Sequence, residues 1–442
     1  VRPGITGAAQ VAGRQGLMFR QRLEHDLAYA HGWSFPGDVA IVLRTVLGVL
    51  TGGGVITGLD DAVDDVGLAD AIRARSRREH GSTLEPHGPV GVEADDGPGP
   101  ARVPAGAVWF ATARQALVAG LAARGVRRVH VPTYGCHDVT RALRRHVEVV
   151  LRPDRPWGPS STLELPPDEA AVVVTTFGLP PRWTVTGGTL VLDVTHGPWD
   201  AVAAGTPPTD AVGRPADLVV ASLRKTLPVP DGAVLWAPTG GPLPAQPAED
   251  PSHEAAVARA DAALAAKAAW LAGAEDGDKD GPGGWLTTLR SAEAGLLGLD
   301  DRPRAAGAVT RARVASLDPA ARWHRRAANV AAFRTALEGR VDPGLLELRA
   351  TPAFVVLVAR DGAVRDAVRT ALAGVRVYAA VLWPTGGEDV PHADRDLADR
   401  VLVLHADARY DAADMARVAD AVVAAASAAS ASAPGTTDGA AS

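Results

Sequence analysis

The chain has one cysteine, two methionines and, among its 45 basic residues, only three lysines: Lys225, Lys267 and Lys279. A lone Cys136 excludes an internal disulfide and a multi-cysteine zinc site, and it fits a reducing, cytoplasmic setting. No sign of charge dominates: the formal net charge is −6 and the basic residues are scattered, which argues against a nucleic-acid-binding face. No secretory signal pattern opens the sequence. Long apolar runs are lacking as well. The longest, Val39 to Ile56, is interrupted by Arg44 and by Gly52 to Gly54, whereas a membrane-spanning helix needs roughly 20 apolar residues. That leaves a helix lying on a membrane surface or on a partner.

The scarcity of lysine has a chemical reading. A guanidinium stays protonated and is a poor nucleophile, whereas an amine can lose its proton and attack a carbonyl. A lysine kept inside an ordered segment is therefore a candidate for chemistry that arginine cannot perform. Lys225 meets that condition, in the segment Ser222-Leu-Arg-Lys-Thr-Leu-Pro-Val-Pro-Asp-Gly232. Lys267, in an alanine-rich helical pattern, and Lys279, in an acidic glycine loop, read as surface charges.

Composition divides the chain. Residues 1–58 form a first segment, and 59–105, acidic, then Arg-rich, then Gly/Pro-rich, read as a linker. From about Val108, continuous apolar runs such as Ala171–Thr175, Thr189–Asp193 and Asp217–Ala221 alternate with helical patterns. Runs of that kind are expected of strands buried on both faces of a mainly parallel, helix-covered α/β sheet. A large domain is expected over 106–300 and a smaller α+β domain over 301–426, with strands at Ala353–Ala359, Val375–Ala379 and Val401–His405. The Ala/Ser/Thr/Gly tail, 427–442, reads as disordered.

Four segments fall at strand ends or strand-to-helix turns, where open α/β sheets bind ligands. Phe110-Ala-Thr112-Ala113-Arg114 opens a helix whose first amides suit a phosphate, although many helices begin with Thr as a plain N-cap. Tyr134, in Pro132-Thr-Tyr-Gly-Cys136, offers a ring to stack on a planar ligand, or simple packing. Asp193, in Asp193-Val-Thr-His196, ends a buried strand, a costly place for a carboxylate unless a ligand such as a pyridinium N–H pairs with it. The fourth segment is that of Ser222, Arg224 and Lys225.

Together these segments resemble the DegT-type sugar aminotransferases, which use pyridoxal 5'-phosphate (PLP) on the fold-type I architecture. Val381-Leu-Trp-Pro384 and Val401 to Tyr410 resemble that family's small C-terminal domain, so the likeness runs over roughly residues 80–425. The resemblance implies Lys225 as the Schiff-base lysine and later acid/base, Asp193 against the ring nitrogen, and His196 near the ring hydroxyl. It implies Ser222, Thr112 and the amides of Ala113 and Arg114 around the phosphate, Tyr134 near the cofactor, and a homodimer. Cys136 stands where the family has its ring-stacking aromatic.

Residues 1–58 resemble something else. Gly4-Ile-Thr-Gly7, Gln10, Gly13-Arg14, Leu23-Glu-His-Asp26 and Trp33-Ser-Phe35 are similar to the C-terminal end of bacterial sugar transferases, monotopic enzymes that act on polyprenyl phosphates. The catalytic Asp-Glu pair of that family lies before this motif, so the segment is expected to be the remnant of a fusion, with Gln10 and Arg14 left for phosphate or sugar contacts. The expected function is transfer of an amino group to a keto group of a nucleotide-activated sugar. Open alternatives are a PLP dehydratase or carbon–carbon bond-forming enzyme, and a phosphoglycosyl transferase whose C-terminal part is non-catalytic. Peripheral membrane contact would come through residues 1–58.

Overall fold

The apolar runs Ala171–Thr175, Thr189–Asp193 and Asp217–Ala221 lie side by side at the centre of one sheet in the computed structural model. The structure describes residues 27–29, 31–32, 34–51, 79–81, 103–197, 207–273, 278–296, 302–383 and 390–431. The expected Gln10 and Arg14 contacts, and most of the 59–105 linker, lie outside them. The chain divides into two compact units, Val1–Arg78 with Ala269–Asp276, and Glu79–Ala268 with Gly277–Ser442.

In the first unit, helix α1 (Phe35–Thr51) takes up much of the apolar run. Ser34 starts it by accepting a bond from Gly37 N at 3.3 Å. Phe35, Val42 and Leu43 are exposed on it. Among the described residues no helix is long and apolar enough to cross a membrane.

The second unit opens with β1 (Val108–Phe110), α2 (Ala113–Ala123), β2 (Arg128–Pro132), α3 (His137–Leu143) and β3 (Glu148–Arg152). It continues with β4 (Ser161–Val174), β5 (Trp183–Asp193), β6 (Leu218–Ser222) and β7 (Ala233–Trp236). These strands make a seven-stranded sheet in the order β1-β7-β6-β5-β4-β2-β3. The pairings from β3 through β6 are parallel, and those of β7 with β6 and β1 are antiparallel. The sheet is thus mainly parallel, as expected, with β7 reversed because only a short loop separates it from β6. Every residue of β6 and β7 is buried.

β4 and β5 run longer than their apolar stretches. Leu165-Pro-Pro reads as a break, but the two prolines sit at a register shift between Leu165 and Ala170, where no ladder donor is required. Opposite the shift, Gly187 has φ +67°, and a Cβ there would lie 2.3 Å from the Leu165 carbonyl oxygen.

Helices α4 (Pro251–Leu271), α5 (Trp285–Leu296), α6 (Ala308–Ser316) and α7 (Pro319–Leu337) follow. Asp318 caps α7 by accepting from the amides of Ala320 and Ala321, and Pro319 fits the first turn. A three-stranded antiparallel sheet, β10-β9-β8, comes next, from β8 (Leu346–Arg349), β9 (Val355–Ala359) and β10 (Val401–Leu404). Helices α8 (Gly362–Gly374), α9 (His392–Arg400) and α10 (Ala412–Ala431) complete this smaller α+β region. Its core joins Phe333 of α7, Leu357, Leu372, Leu402 and Val422, each worth about 1.5–3 kcal/mol when fully buried. Another cluster, including Tyr134, Phe177, Val356 and Val403, joins the two sheets.

Four expectations are corrected. Val375–Ala379 is not a strand: Arg376 turns the chain with φ +60°, leaving single bridges from Val377 to His80 and from Ala380 to Val403. Part of the expected linker belongs to the fold, because His80 is fully buried, stacks on Tyr410 with centroids 3.9 Å apart and bonds the His405 carbonyl oxygen at 2.6 Å. The expected tail begins inside α10, which continues through the strongly helix-forming alanines to Ala431. Neither remaining lysine is a free surface charge. Lys267 is fully buried under the Trp285 ring, 5.2 Å from its centroid, where burial holds its pKa well below the usual lysine value. Lys279 is ion-paired with Glu79 at 3.2 Å.

Candidate functional site

β5 and β6 are adjacent and parallel, with Asp193 opposite Val220, so both release the chain at the same sheet edge. A short 3-10 turn, Leu223–Lys225, leaves β6 and aims Lys225 away from the ladder. The loop that follows is held firmly. Gly232, at φ +102°, accepts from Leu223 N and donates to the Ala111 carbonyl, both at 2.9 Å, tying the lysine turn to the start of α2. Next to it, the buried Asp231 carboxylate accepts from His253 Nε2 at 2.8 Å, from Gly307 N at 3.0 Å and from the Thr310 hydroxyl. A network with every member satisfied is rigid, and here it fixes the turn that carries Lys225.

A cavity of about 450 Å³ opens at this edge, between the large sheet and the smaller α+β region. Thr112, Ala113, Arg114, Asp193, His196, Ser222 and Lys225 all line it, so seven of the eight residues singled out in the sequence come together. The eighth does not. Tyr134 is buried with its hydroxyl donating to the Leu382 carbonyl, and its ring packs edge-on to Phe177 and Trp383. It builds the wall behind the cavity. Cys136, two residues on, is exposed and lines the cavity instead.

Thr112 is the N-cap of α2, its hydroxyl accepting from Gln115 N at 3.4 Å. The plain capping role is therefore realised. It still leaves the amides of Ala113 and Arg114 at the first turn without helical acceptors. The Arg114 guanidinium reaches Asp138 at 3.8 Å, and Arg224 is held by Glu293 at 2.5 Å. In the small region Arg409 grips Asp407 through two bonds of 2.7 Å.

Asp193 has no such cation. Burial raises its carboxyl pKa, opposed only by hydrogen bonds from Thr195, one of them from Thr195 N at 2.9 Å. Lys225 makes no ion pair among the described residues. Its side chain is accessible from the cavity mouth but flanked by protein, and this partial desolvation, followed by repulsion from Arg224, lowers its pKa. An unpaired carboxyl facing the same cavity as an easily deprotonated amine, beside the first-turn helix amides and two hydroxyls, is a donor set that fits PLP. The carboxyl suits the ring N–H, the amine the aldehyde, and the Thr112–Arg114 turn with Ser222 the phosphate.

His196 is sandwiched in an aromatic stack, 5.7 Å and 6° from the Trp383 ring and 6.2 Å and 15° from Phe177. Burial, and then the charges of Lys225 and Arg326, push its pKa down to about 3, so it is neutral at physiological pH. Between about pH 3 and the ordinary histidine value near 6.5, the unfolded chain binds a proton that the folded one refuses. Stability should therefore rise with pH across that window. Thermal melts from pH 4 to 7 should show this climb, and His196→Phe should reduce its slope; an unaltered slope would mean the imidazole is not held neutral.

Arg326 on α7, Phe354 and Trp383 are among the cavity residues that escaped the sequence. Trp383 lay in a motif already singled out, but nothing local marked its ring as stacking on His196.

Comparison with known proteins adds the following. Residues 1–52 match the family model described as bacterial sugar transferase. Over 55 residues the chain is 47% identical to UDP-glucose:undecaprenyl-phosphate glucose-1-phosphate transferase of Caulobacter vibrioides, covering 11% of this chain and 21% of that protein. Over 55 residues it is 42% identical to the uncharacterized sugar transferase EpsL of Bacillus subtilis, covering 12% of this chain and 27% of that one. The chain thus spans about a fifth to a quarter of the length of these curated relatives. Among solved structures, it is similar to DesI in the presence of its TDP-sugar product, with 19% identity and TM-score 0.44 over 81% of this chain and 89% of the other. It is also similar to a DegT DnrJ EryC1 StrS aminotransferase from Brucella abortus, with 13% identity and TM-score 0.40 over 80% and 96%. A third is the aminotransferase TlmJ from Streptoalloteichus hindustanus, with 15% identity and TM-score 0.43 over 84% and 98%.

Proposed function

We propose that the body of this chain, a large domain over 106–300 and a small one over 301–426, is a PLP-dependent aminotransferase. The observation that carries this reading is the pair Asp193 and Lys225, both without a counter-ion, at the ends of neighbouring parallel strands in one cavity. Bound PLP would supply a ring that takes up the electron pair of a broken C–H bond. Asp193 would hold a proton on the ring nitrogen. Lys225, which gives up its proton more readily than an ordinary lysine, would bond the aldehyde and, once released, carry a proton between carbon atoms. Thr112, Ser222 and the amides of Ala113 and Arg114 would hold the phosphate, and neutral His196 would face the ring hydroxyl.

The acceptor in this reading is the keto group of a nucleotide-activated sugar. The sugar-transferase match at residues 1–52 supports it, since two activities in one chain then serve one glycan. The reading includes a homodimer, and a peripheral membrane contact through residues 1–58.

The test uses the purified protein supplemented with PLP. A visible absorption band should form, and L-glutamate should bleach it with stoichiometric release of 2-oxoglutarate. If no band forms, the cofactor assignment is wrong. A band that glutamate leaves intact would favour a non-transaminating PLP reaction, the reading to which Cys136 in place of a stacking aromatic points.

A further inference from the structure

Two histidines line the cavity, His196 on the large-sheet side just past β5 and His405 on the small-region side just past β10. Their rings have different partners at the same atom. His196 Nδ1 faces the amide of Phe177, which donates to it at 3.4 Å. His405 Nδ1 faces the ionised Asp407 carboxylate, 3.6 Å from Oδ2. An amide N–H can only donate and a carboxylate can only accept, so the two uncharged rings carry opposite tautomers. His196 keeps its hydrogen on Nε2 and offers the cavity a donor. His405 keeps its hydrogen on Nδ1, which leaves the Nε2 lone pair bare.

No group among the described residues takes up that lone pair, and the His405 side chain is 35% exposed in the cavity. Its setting is rigid. His80 Nε2 donates to the His405 carbonyl at 2.6 Å, and Gly81 packs so closely on the ring edge that a Cβ there would lie 3.0 Å from Cδ2. Behind the ring, Asp407 is fixed by two 2.7 Å bonds from Arg409. Burial lowers the His405 pKa; Asp407 opposes this, and the charges of Arg409 and Arg326 reinforce it, so the ring rests uncharged. His80, which also faces the ring, is uncharged too, its pKa pushed down to about 4 by burial. A base oriented by a carboxylate that is itself held in place is the arrangement of a proton acceptor, and such contacts are often long in an empty site.

The proposed reaction has need of one. An amino donor arrives as an ammonium ion, at a stage when Lys225 would be bonded to the aldehyde and Asp193 occupied by the ring nitrogen. The arginines of the cavity keep their protons. We infer that His405 is a second catalytic base of this cavity, whose Nε2, backed by Asp407, takes a proton from the incoming ammonium group of the amino donor. The N–H bond breaks, its electron pair stays on the substrate nitrogen, and the proton on Nε2 gives the ring a positive charge facing Asp407. Protons bound to carbon are left to Lys225, and an imidazole does not replace that amine as the group that bonds the aldehyde. The inference rests on the proposed aminotransferase reading for the identity of the substrate, whereas the tautomer of His405 stands apart from it.

The test compares two amines of different charge on the full chain with PLP added. L-Glutamate carries an ammonium group at neutral pH, whereas aminooxyacetate presents an uncharged nitrogen that needs no base. His405→Ala should slow bleaching of the visible band by glutamate about 100-fold, leave bleaching by aminooxyacetate within about twofold, and regain about tenfold with glutamate when imidazole is added. Should His405→Ala fail to fold, His405→Gln carries the same rate expectations without the rescue. Without PLP, ring-nitrogen NMR of histidine-labelled protein at neutral pH should assign the signals lost in His405→Gln to an uncharged ring protonated at Nδ1. Those lost in His196→Gln should belong to a ring protonated at Nε2. Equal glutamate rates in wild type and variant overturn the inference. Equal slowing of both amines makes His405 a structural residue and overturns it as well. So do a wild-type band that glutamate leaves intact and a His405 ring protonated at Nε2. Absence of any band in wild type sinks the proposed function and the base role with it, whereas the outcomes with a band present sink the base role alone.

Discussion

Lys225→Ala is expected to abolish the visible PLP band and slow the L-glutamate half-reaction about 10⁴-fold, the upper end of what a positioned proton-transfer group supplies. In the proposed reaction the size follows from the double use of one amine, as the group that would bond the aldehyde and as the base that would move the proton. No neighbour can substitute. Cys136 shares the cavity but would offer a thiol, and Arg224 is committed to Glu293. Lys225→Arg should be as inactive as the alanine variant, because a guanidinium retains its proton. Both variants should melt within a few degrees of wild type, since the side chain makes no ion pair. Absorption spectra and single-turnover mixing with glutamate provide the measurements. A variant that keeps both band and rate would remove Lys225 from the chemistry.

Asp407→Ala is expected to be among the most destabilising single substitutions in the chain, by about 3–5 kcal/mol, because it removes the carboxylate paired with a buried guanidinium. Arg409 is almost wholly enclosed and makes two charged hydrogen bonds to Asp407. Burial alone would raise the Asp407 carboxyl, but the charge and hydrogen bonds of Arg409 override it and hold the pKa well below the carboxylate range. The sign of the pH effect follows. The pair's stabilisation is present above the unfolded value near 4, and is lost only as pH falls through the depressed native value. Urea melts at pH 7 and pH 5 should therefore show the same large difference between wild type and variant. Asp168→Ala is the control, since its ion pair with Arg127 lies on the surface and its loss should leave the melt unchanged. If both variants unfold alike, the buried pair contributes no more than a surface one.

What could be read in the sequence was local. Thr112, Asp193, Ser222 and Lys225 each sit at the end of a strand or the start of a helix, and such ends can be recognised from a few neighbouring residues. The rest depends on contacts made across the chain. Tyr134 reads as a ligand platform until its hydroxyl meets the carbonyl of Leu382, 248 residues away. Arg326 is one arginine among several in Ala321-Arg-Trp-His-Arg-Arg326, and only the folding of α7 over the cavity separates it from its neighbours. Lys267 looks solvated because its helix is rich in alanine, yet those small side chains let other elements approach closely enough to bury it. The prolines after Leu165 hide the length of β4 in the same way: their tolerance depends on a register shift made by a partner strand.

The Asp193 carboxyl and the Lys225 amine, both without a counter-ion in the cavity, have a bearing on the life of the protein in a cell. Each is a group that the empty fold holds at a cost and that a bound molecule would relieve, so the empty form should open more often than the filled one. Proteases act on opened chains, so under the proposed function the steady-state amount of the protein should follow the supply of PLP even when synthesis is constant. Digestion rates compared with and without PLP would reveal this, and equal rates would show that filling the cavity does not protect the chain.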